Sequence, residues 1–119
     1  MLKNYSKISV IMKDTLDIKY AKHNRVHLKE GKRDKITKMF IEFFNEVEGK
    51  TKGMEGYIIM DNIKDSNESI VITFWNSKQD MDTYYQPQNK DLSDLIEKAK
   101  PSFEQMPERS SYSISCLKM

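Results

Sequence analysis

The chain has 119 residues, and its 20 basic and 18 acidic side chains leave a formal net charge of only +2. That balance argues against a nucleic-acid-binding protein, for which a basic patch or stripe is expected. The single cysteine excludes an intramolecular disulfide and a zinc site of the Cys-x-x-Cys type. No apolar run approaches the roughly 20 residues of a membrane-spanning helix, so we expect one soluble, cytoplasmic domain without a membrane partner.

The first 19 residues are interpreted as an N-terminal extension, in which KISVIMKD is compatible with a short strand. The domain proper is expected to span residues 20–119 and to begin with a strand, Tyr20–Leu28. Alternation along this strand gives it two faces. We expect one face, with Asn24, Val26 and Leu28, to meet the helices, and the other to carry His23, Arg25 and His27.

A helix is predicted after Gly31, because apolar residues recur at three- and four-residue steps between Ile36 and Val47. Gly49 and Gly53 mark its end. Two strands should follow, Gly56–Asn62 and Ser69–Trp75, since both are rich in β-branched and aromatic residues and a polar loop separates them.

A second helical region is predicted from Ser77, which suits an N-cap with Asp80 three residues later. The first helical segment should end near Tyr85. The segment QPQNK should interrupt the helix, and a second helical segment should follow and end before Pro101. The last strand is expected in SSYSISCLKM, with Tyr112, Ile114 and Cys116 on an apolar face and Cys116 as a small core residue.

The order strand, helix, strand, strand, helix, strand predicts an α+β fold. It is the ferredoxin-like arrangement, a four-stranded antiparallel sheet with helices on one face. The other face of the sheet would then be left exposed unless it packs against a partner. An identical subunit is the commonest one, so we expect a homodimer.

Three segments together resemble the antibiotic biosynthesis monooxygenase (ABM) domain superfamily: HNRVHLKEGKRDKI, KGMEGYIIMDN and ITFWNSKQDMDTYY. The resemblance covers Tyr20–Met119 and implies a dimeric α+β barrel. It also implies a monooxygenase with a small-molecule substrate.

Within that superfamily, the chain is most similar to the haem-degrading monooxygenases of the IsdG type. The similarity rests on the run Asn24–Leu28 and on Trp-Asn-Ser-Lys-Gln from Trp75 to Gln79. Tyr84 stands where those enzymes have a second tryptophan, and the position of their haem-ligating histidine falls near Asp94. No histidine follows His27, so the usual imidazole ligand of haem iron is missing.

The candidate catalytic residues are Asn24, a polar residue on the face toward the helices, and Tyr84, at the matched aromatic position. Tyr85, Trp75 and Phe40 are candidate substrate-binding residues, although core packing explains the tyrosines equally well and Trp75 suits a residue that seals the end of a core. No metal site is expected, because His23 and His27 lie roughly 13 Å apart along a strand.

Three functions therefore remain open. The first is a monooxygenase of the ABM superfamily that acts on a bulky planar or aromatic compound in a pocket between sheet and helices. The second is haem degradation, with haem as substrate or ligand. The third is a non-catalytic dimer that binds haem or another hydrophobic compound, because one fold can host unrelated functions.

Overall fold

A computed structural model of the chain describes residues 17–119. The short strand expected in KISVIMKD lies outside this range. The described elements are β1 (Tyr20–Leu28), α1 (Arg33–Val47), β2 (Met54–Asp61), β3 (Glu68–Trp75), α2 (Lys78–Tyr84), α3 (Lys90–Ala99) and β4 (Phe103–Ser113), with single 3₁₀ turns at Glu48–Lys50 and Lys100–Ser102.

The four strands form one antiparallel sheet in the order β2-β3-β1-β4. This is the predicted ferredoxin-like arrangement, and the structure confirms it. The bounds of β1 are those expected from the sequence, and the helical region after Ser77 is divided into α2 and α3 as the QPQNK interruption indicated. None of the helices within residues 17–119 is both long and apolar enough to cross a membrane.

The prediction for the last strand was wrong in position. β4 begins at Phe103 and ends at Ser113, so only its last four residues come from the expected segment. Cys116 lies beyond the strand and is exposed, not in the core. The apolar anchor of β4 is the buried Phe103 at its start, and the polar run after it gave no strand signal.

The core lies between the inner face of the sheet and the helices. Side chains from β1 and β3 alternate inward and outward, and their inward members pack against the apolar stripes of α1 and α3. The central core residues are Val26, Leu28, Ile36, Phe40, Phe44, Val71, Trp75, Leu92, Leu95 and Phe103.

The start of α2 is held against the loop before β2. Ser77 Oγ accepts a hydrogen bond from the Asp80 backbone N–H at 3.2 Å, as an N-cap does. Gly53 has φ +83°, and a methyl group on its Cα would lie 2.6 Å from Asp80 Oδ2. Both the backbone angle and the close approach therefore require glycine at this turn.

Candidate functional site

A small cavity lies between the sheet and helices α1 and α3. Its volume is about 30 Å³, enough for a water molecule or two. Its polar side chains are Asn24, Tyr85 and Arg109, and its apolar wall consists of Val26, Phe40, Phe44, Val71, Leu92, Leu95, Ile96 and Pro107. A mostly apolar cavity with a few convergent polar groups is the usual form of a small-molecule site.

Asn24 reaches this cavity because alternation along β1 turns it inward, and only 7% of its surface is exposed. Its Nδ2 donates to the Val71 carbonyl oxygen at 3.1 Å. Its Oδ1 accepts from Arg109 Nε at 3.1 Å. The buried amide is thus held by partners on both of its polar atoms, as burial of such a group requires.

Tyr85 follows the last residue of α2, and its hydroxyl points back toward the sheet. The hydroxyl lies 2.8 Å from Thr73 Oγ1 and 3.5 Å from Asn24 Nδ2. Burial raises the pKa of this phenol, while its hydrogen bonds to Thr73 and Asn24 and the charge of Arg109 oppose that rise. Tyr85 is therefore a neutral hydroxyl at neutral pH.

Thr73 connects this hydroxyl to Trp75. Trp75 Nε1–H donates to Thr73 Oγ1 at 2.9 Å, and an indole nitrogen can only donate. The proton of the buried Thr73 hydroxyl then has the Tyr85 oxygen as its acceptor at 2.8 Å. In that arrangement the Tyr85 proton is left to donate to a molecule in the cavity.

The other sequence-derived candidates fall in different places. Phe40 lines the cavity, whereas Trp75 is completely buried in the core behind Thr73 and does not line it. Tyr84 also lies outside the cavity and borders a separate surface groove with Thr83 and other polar residues. The structure thus gives the cavity position to Tyr85, where the sequence match had favoured Tyr84.

The Tyr84 hydroxyl is buried and has no hydrogen-bond partner among residues 17–119. Its ring packs against Trp75, with the ring centroids 5.2 Å apart. Burial is the main cause that raises the pKa of Tyr84 far above that of an exposed tyrosine, with a smaller contribution from Tyr85. Tyr84 is therefore placed as a packing residue beside the site.

Arg109 is a site residue that the sequence analysis missed. It stands opposite Asn24 in the β1–β4 pairing. It borders both the inner cavity and an outer groove of about 220 Å³. Three other residues also line both spaces: Tyr85, Leu92 and Ile96. Arg109 was missed because it precedes the segment where the last strand was expected.

No cluster of metal-binding side chains is found in the part of the chain that the structure describes. Residues 17–119 contain no group of three or more His, Cys, Asp or Glu side chains that could hold a metal ion. Both histidines of the chain, His23 and His27, lie on β1 positions that face away from the cavity. Asp94, at the position that matched the haem ligand, is exposed and bound to Lys90 at 2.9 Å.

The cavity itself does not fit haem. Its single phenol, Tyr85, has a raised pKa, which disfavours the phenolate form that ligates ferric iron. The sequence resemblance to the haem-degrading type is therefore not supported by the residues around this cavity.

Comparison with solved structures finds many proteins of the same fold. A proposed ABM protein from Chloroflexus aurantiacus is 16% identical, with a TM-score of 0.65, and the match covers 85% of this chain and 97% of that one. A proposed ABM protein from Caulobacter crescentus is 10% identical, with a TM-score of 0.70 and coverage of 82% and 90%. A protein of unknown function from Nitrosomonas europaea is 12% identical, with a TM-score of 0.70 and coverage of 86% and 94%.

At these identities the similarity shows the fold. The chain has the fold of ABM domain proteins, as the sequence resemblance implied. No family model matches the sequence, and no curated protein sequence matches it either.

Proposed function

We propose that this chain, with the fold of ABM domain proteins, is a small monooxygenase that acts on an aromatic compound in the cavity between sheet and helices. The observation that carries the proposal is the convergence of three polar side chains, Asn24, Tyr85 and Arg109, on a mostly apolar cavity. Other solved proteins of this fold are described as proposed ABM proteins, which gives the reaction class.

The proposed reaction needs only dioxygen and an electron-rich substrate with an acidic C–H bond. Loss of the C–H proton to bulk water gives a carbanion, dioxygen adds at that carbon, and the peroxide anion takes up a proton to form a hydroperoxide. Loss of water then leaves a ketone, so one substrate and one dioxygen give one ketone and one water. All four electrons taken up by dioxygen come from the substrate.

The residues of the cavity would serve this reaction by enclosure and by hydrogen bonding. The Tyr85 hydroxyl can donate to an oxygen of the substrate, where negative charge develops when the C–H proton leaves. The Asn24 amide nitrogen lies 3.5 Å from the Tyr85 oxygen and can donate to it. The apolar wall would keep water from the reactive carbanion and orient the ring toward dioxygen.

The cavity must widen to admit an aromatic ring. Its present volume has room for only a water molecule or two. The outer groove lies directly beside it and shares four of its lining residues. Arg109 is exposed and stands between the two spaces. We expect its movement to join them into one pocket.

The proposal is tested by oxygen uptake with anthrone, whose methylene group between two rings is acidic and electron-rich. We expect the protein to accelerate uptake above the uncatalysed rate, with one dioxygen consumed per quinone formed. Tyr85→Phe should lower kcat/KM by about tenfold or more, and Tyr84→Phe is the matched control because that hydroxyl lies outside the cavity.

Binding without accelerated oxygen uptake, across a panel of electron-rich aromatic compounds, would refute the enzyme proposal. That outcome would favour the non-catalytic binder. A loss of activity in Tyr84→Phe as large as that in Tyr85→Phe would refute the assignment of the site.

We further propose that the chain is a homodimer through the outer face of the sheet. This face presents apolar side chains from neighbouring strands, because Ile58 pairs with Ile72 and Met60 with Ile70 in the β2–β3 register. Ile58 and Met60 are each 41% exposed. Large exposed apolar patches commonly mark interaction sites, and a second copy would bury this one.

A further inference from the structure

Two positively charged side chains lie over the ring of Tyr85, and one of them, Arg109, borders both the cavity and the outer groove. Lys22 Nζ lies 5.1 Å from the ring centroid, and Arg109 Cζ lies 5.0 Å from it. The two charges can therefore be no more than about 10 Å apart. Like charges at this separation repel each other weakly where solvent screens them, and an anion between them would be attracted to both.

Neither cation has an anionic partner within the described chain. Among residues 17–119, no carboxylate oxygen lies within 4.0 Å of Lys22 or Arg109. Both are bound to neutral oxygens instead. Lys22 Nζ donates to Ser111 Oγ at 2.8 Å, and Arg109 Nε donates to Asn24 Oδ1 at 3.1 Å.

The nearest acidic influence on Lys22 does not neutralise it. Partial burial lowers the pKa of Lys22, Asp82 opposes that effect, and the charges of Arg109 and Lys78 lower the pKa further. The Asp82 carboxylate is itself bound by Lys78 at 2.7 Å. An anion beside Lys22 and Arg109 would relieve the repulsion between them.

The register of the sheet fixes the two cations in place. Lys22 stands opposite Ser111 and Asn24 opposite Arg109 on neighbouring strands, two residues apart on the inner face. Attraction between a cation and an aromatic ring explains one such side chain over Tyr85. It does not by itself account for a second cation over the same ring.

We propose that Lys22 and Arg109 bind a carboxylate group of the substrate while its aromatic ring enters the cavity. The aromatic part of this inference rests on the proposed function above. A guanidinium can bind a carboxylate through two parallel N–H···O bonds. The only side-chain hydrogen bond of Arg109 to a described residue uses Nε. Its two terminal nitrogens are left for the ligand, and Lys22 adds a second point charge.

The test compares two probes of the same shape, 1-naphthoate and its uncharged analogue 1-naphthamide, by titration calorimetry at neutral pH and low salt. We expect the carboxylate to bind at least about tenfold more tightly than the amide, as a charge-assisted bidentate contact should. That preference should shrink as salt is added, because both cations border solvent.

Three variants separate the roles. Arg109→Gln should abolish the preference for the carboxylate, Arg109→Lys should keep part of it, and Lys22→Gln should reduce it. Lys98→Gln is the matched control, because this exposed lysine on α3 changes the net charge equally and does not line the cavity. If Arg109→Gln does not fold, the affinities of Lys22→Gln and the salt dependence of the wild-type protein test whether the cations bind the carboxylate.

Equal affinities of the wild-type protein for the two probes, or no measurable binding of naphthoate, would overturn the inference. An equal loss of preference in Lys98→Gln would also overturn it, because the effect would then come from overall charge. Oxygen uptake gives a separate result. A carboxylate preference without turnover of any substrate would refute only the oxygenase proposal.

Discussion

Replacing Tyr85 by phenylalanine removes one hydroxyl that is bound to Thr73 at 2.8 Å. The same replacement at Tyr84 removes a buried hydroxyl that has no partner in residues 17–119. The two rings meet edge to face, with centroids 5.1 Å apart, and both pack near Trp75. The two variants therefore remove the same chemical group from neighbouring buried rings, one hydroxyl with a hydrogen-bond partner and one without.

The two variants are expected to change the free energy of unfolding differently, with a loss for Tyr85→Phe and no loss for Tyr84→Phe. Loss of the Thr73 bond in Tyr85→Phe should lower the free energy of unfolding by about 1 kcal/mol, because a net hydrogen bond contributes roughly 0.5–1.5 kcal/mol. Thr73 still accepts from Trp75, and Asn24 still donates to Val71. The Thr73 proton loses its acceptor, and this unpaired donor is part of the expected loss. Tyr84→Phe should be neutral or stabilising by up to about 1 kcal/mol, because it removes a desolvated, unpaired group.

Urea unfolding followed by far-ultraviolet circular dichroism measures both changes without depending on Trp75 fluorescence, which the neighbouring tyrosines affect. A difference of about 1–2 kcal/mol between the variants is expected. It corresponds to a gap of several degrees in Tm, at roughly 4–8 °C per kcal/mol for a domain of this size. If Tyr84→Phe were the less stable of the two, the hydrogen bonding assigned to the two hydroxyls would be wrong.

Burial raises the pKa of both Tyr84 and Tyr85 above the 10.0 of an exposed tyrosine. The folded state then holds these protons more tightly, so the free energy of unfolding should be unaffected below about pH 10 and should fall as the pH rises beyond it. Urea unfolding of the double phenylalanine variant should show a shallower fall, and an unchanged slope would contradict this. Gly53→Ala should lower stability by about 1–3 kcal/mol in thermal unfolding, because it adds a Cβ at positive φ against Asp80; a change near zero would mean that the turn relaxes freely. Light scattering at micromolar concentration should give twice the chain mass, and a clean monomer would exclude the proposed dimer. A haem titration should give weak binding without an imidazole-type spectrum, whereas a tight imidazole-ligated complex would show that a histidine reaches the haem.

The sequence contained most of the fold because its signals were local. Alternation in β1 predicted both its bounds and the inward position of Asn24. The three- and four-residue spacing in α1, and Ser77 as an N-cap, predicted where helices lie. These patterns depend on residues a few positions apart, so they can be read without knowing which strands are neighbours.

The last strand could not be placed in this way. β4 is an edge strand, and most of its residues after Phe103 are exposed, so it lacks the alternation by which buried strands are recognised. Pro107 is tolerated there, since proline is found on edge strands. The more apolar alternation further along the chain, around Ile114 and Cys116, was mistaken for the strand.

The composition of the candidate site was decided by tertiary structure. Tyr84 is the last residue of α2 and Tyr85 follows it with φ −89° and ψ 10°. The 100° step between helical neighbours therefore did not determine which ring reaches the cavity. Arg109 meets Asn24 across 85 residues of chain because the register of β1 with β4 places them opposite each other. Local spacing identifies the face on which a side chain lies, but a contact between distant strands depends on the register of the folded sheet.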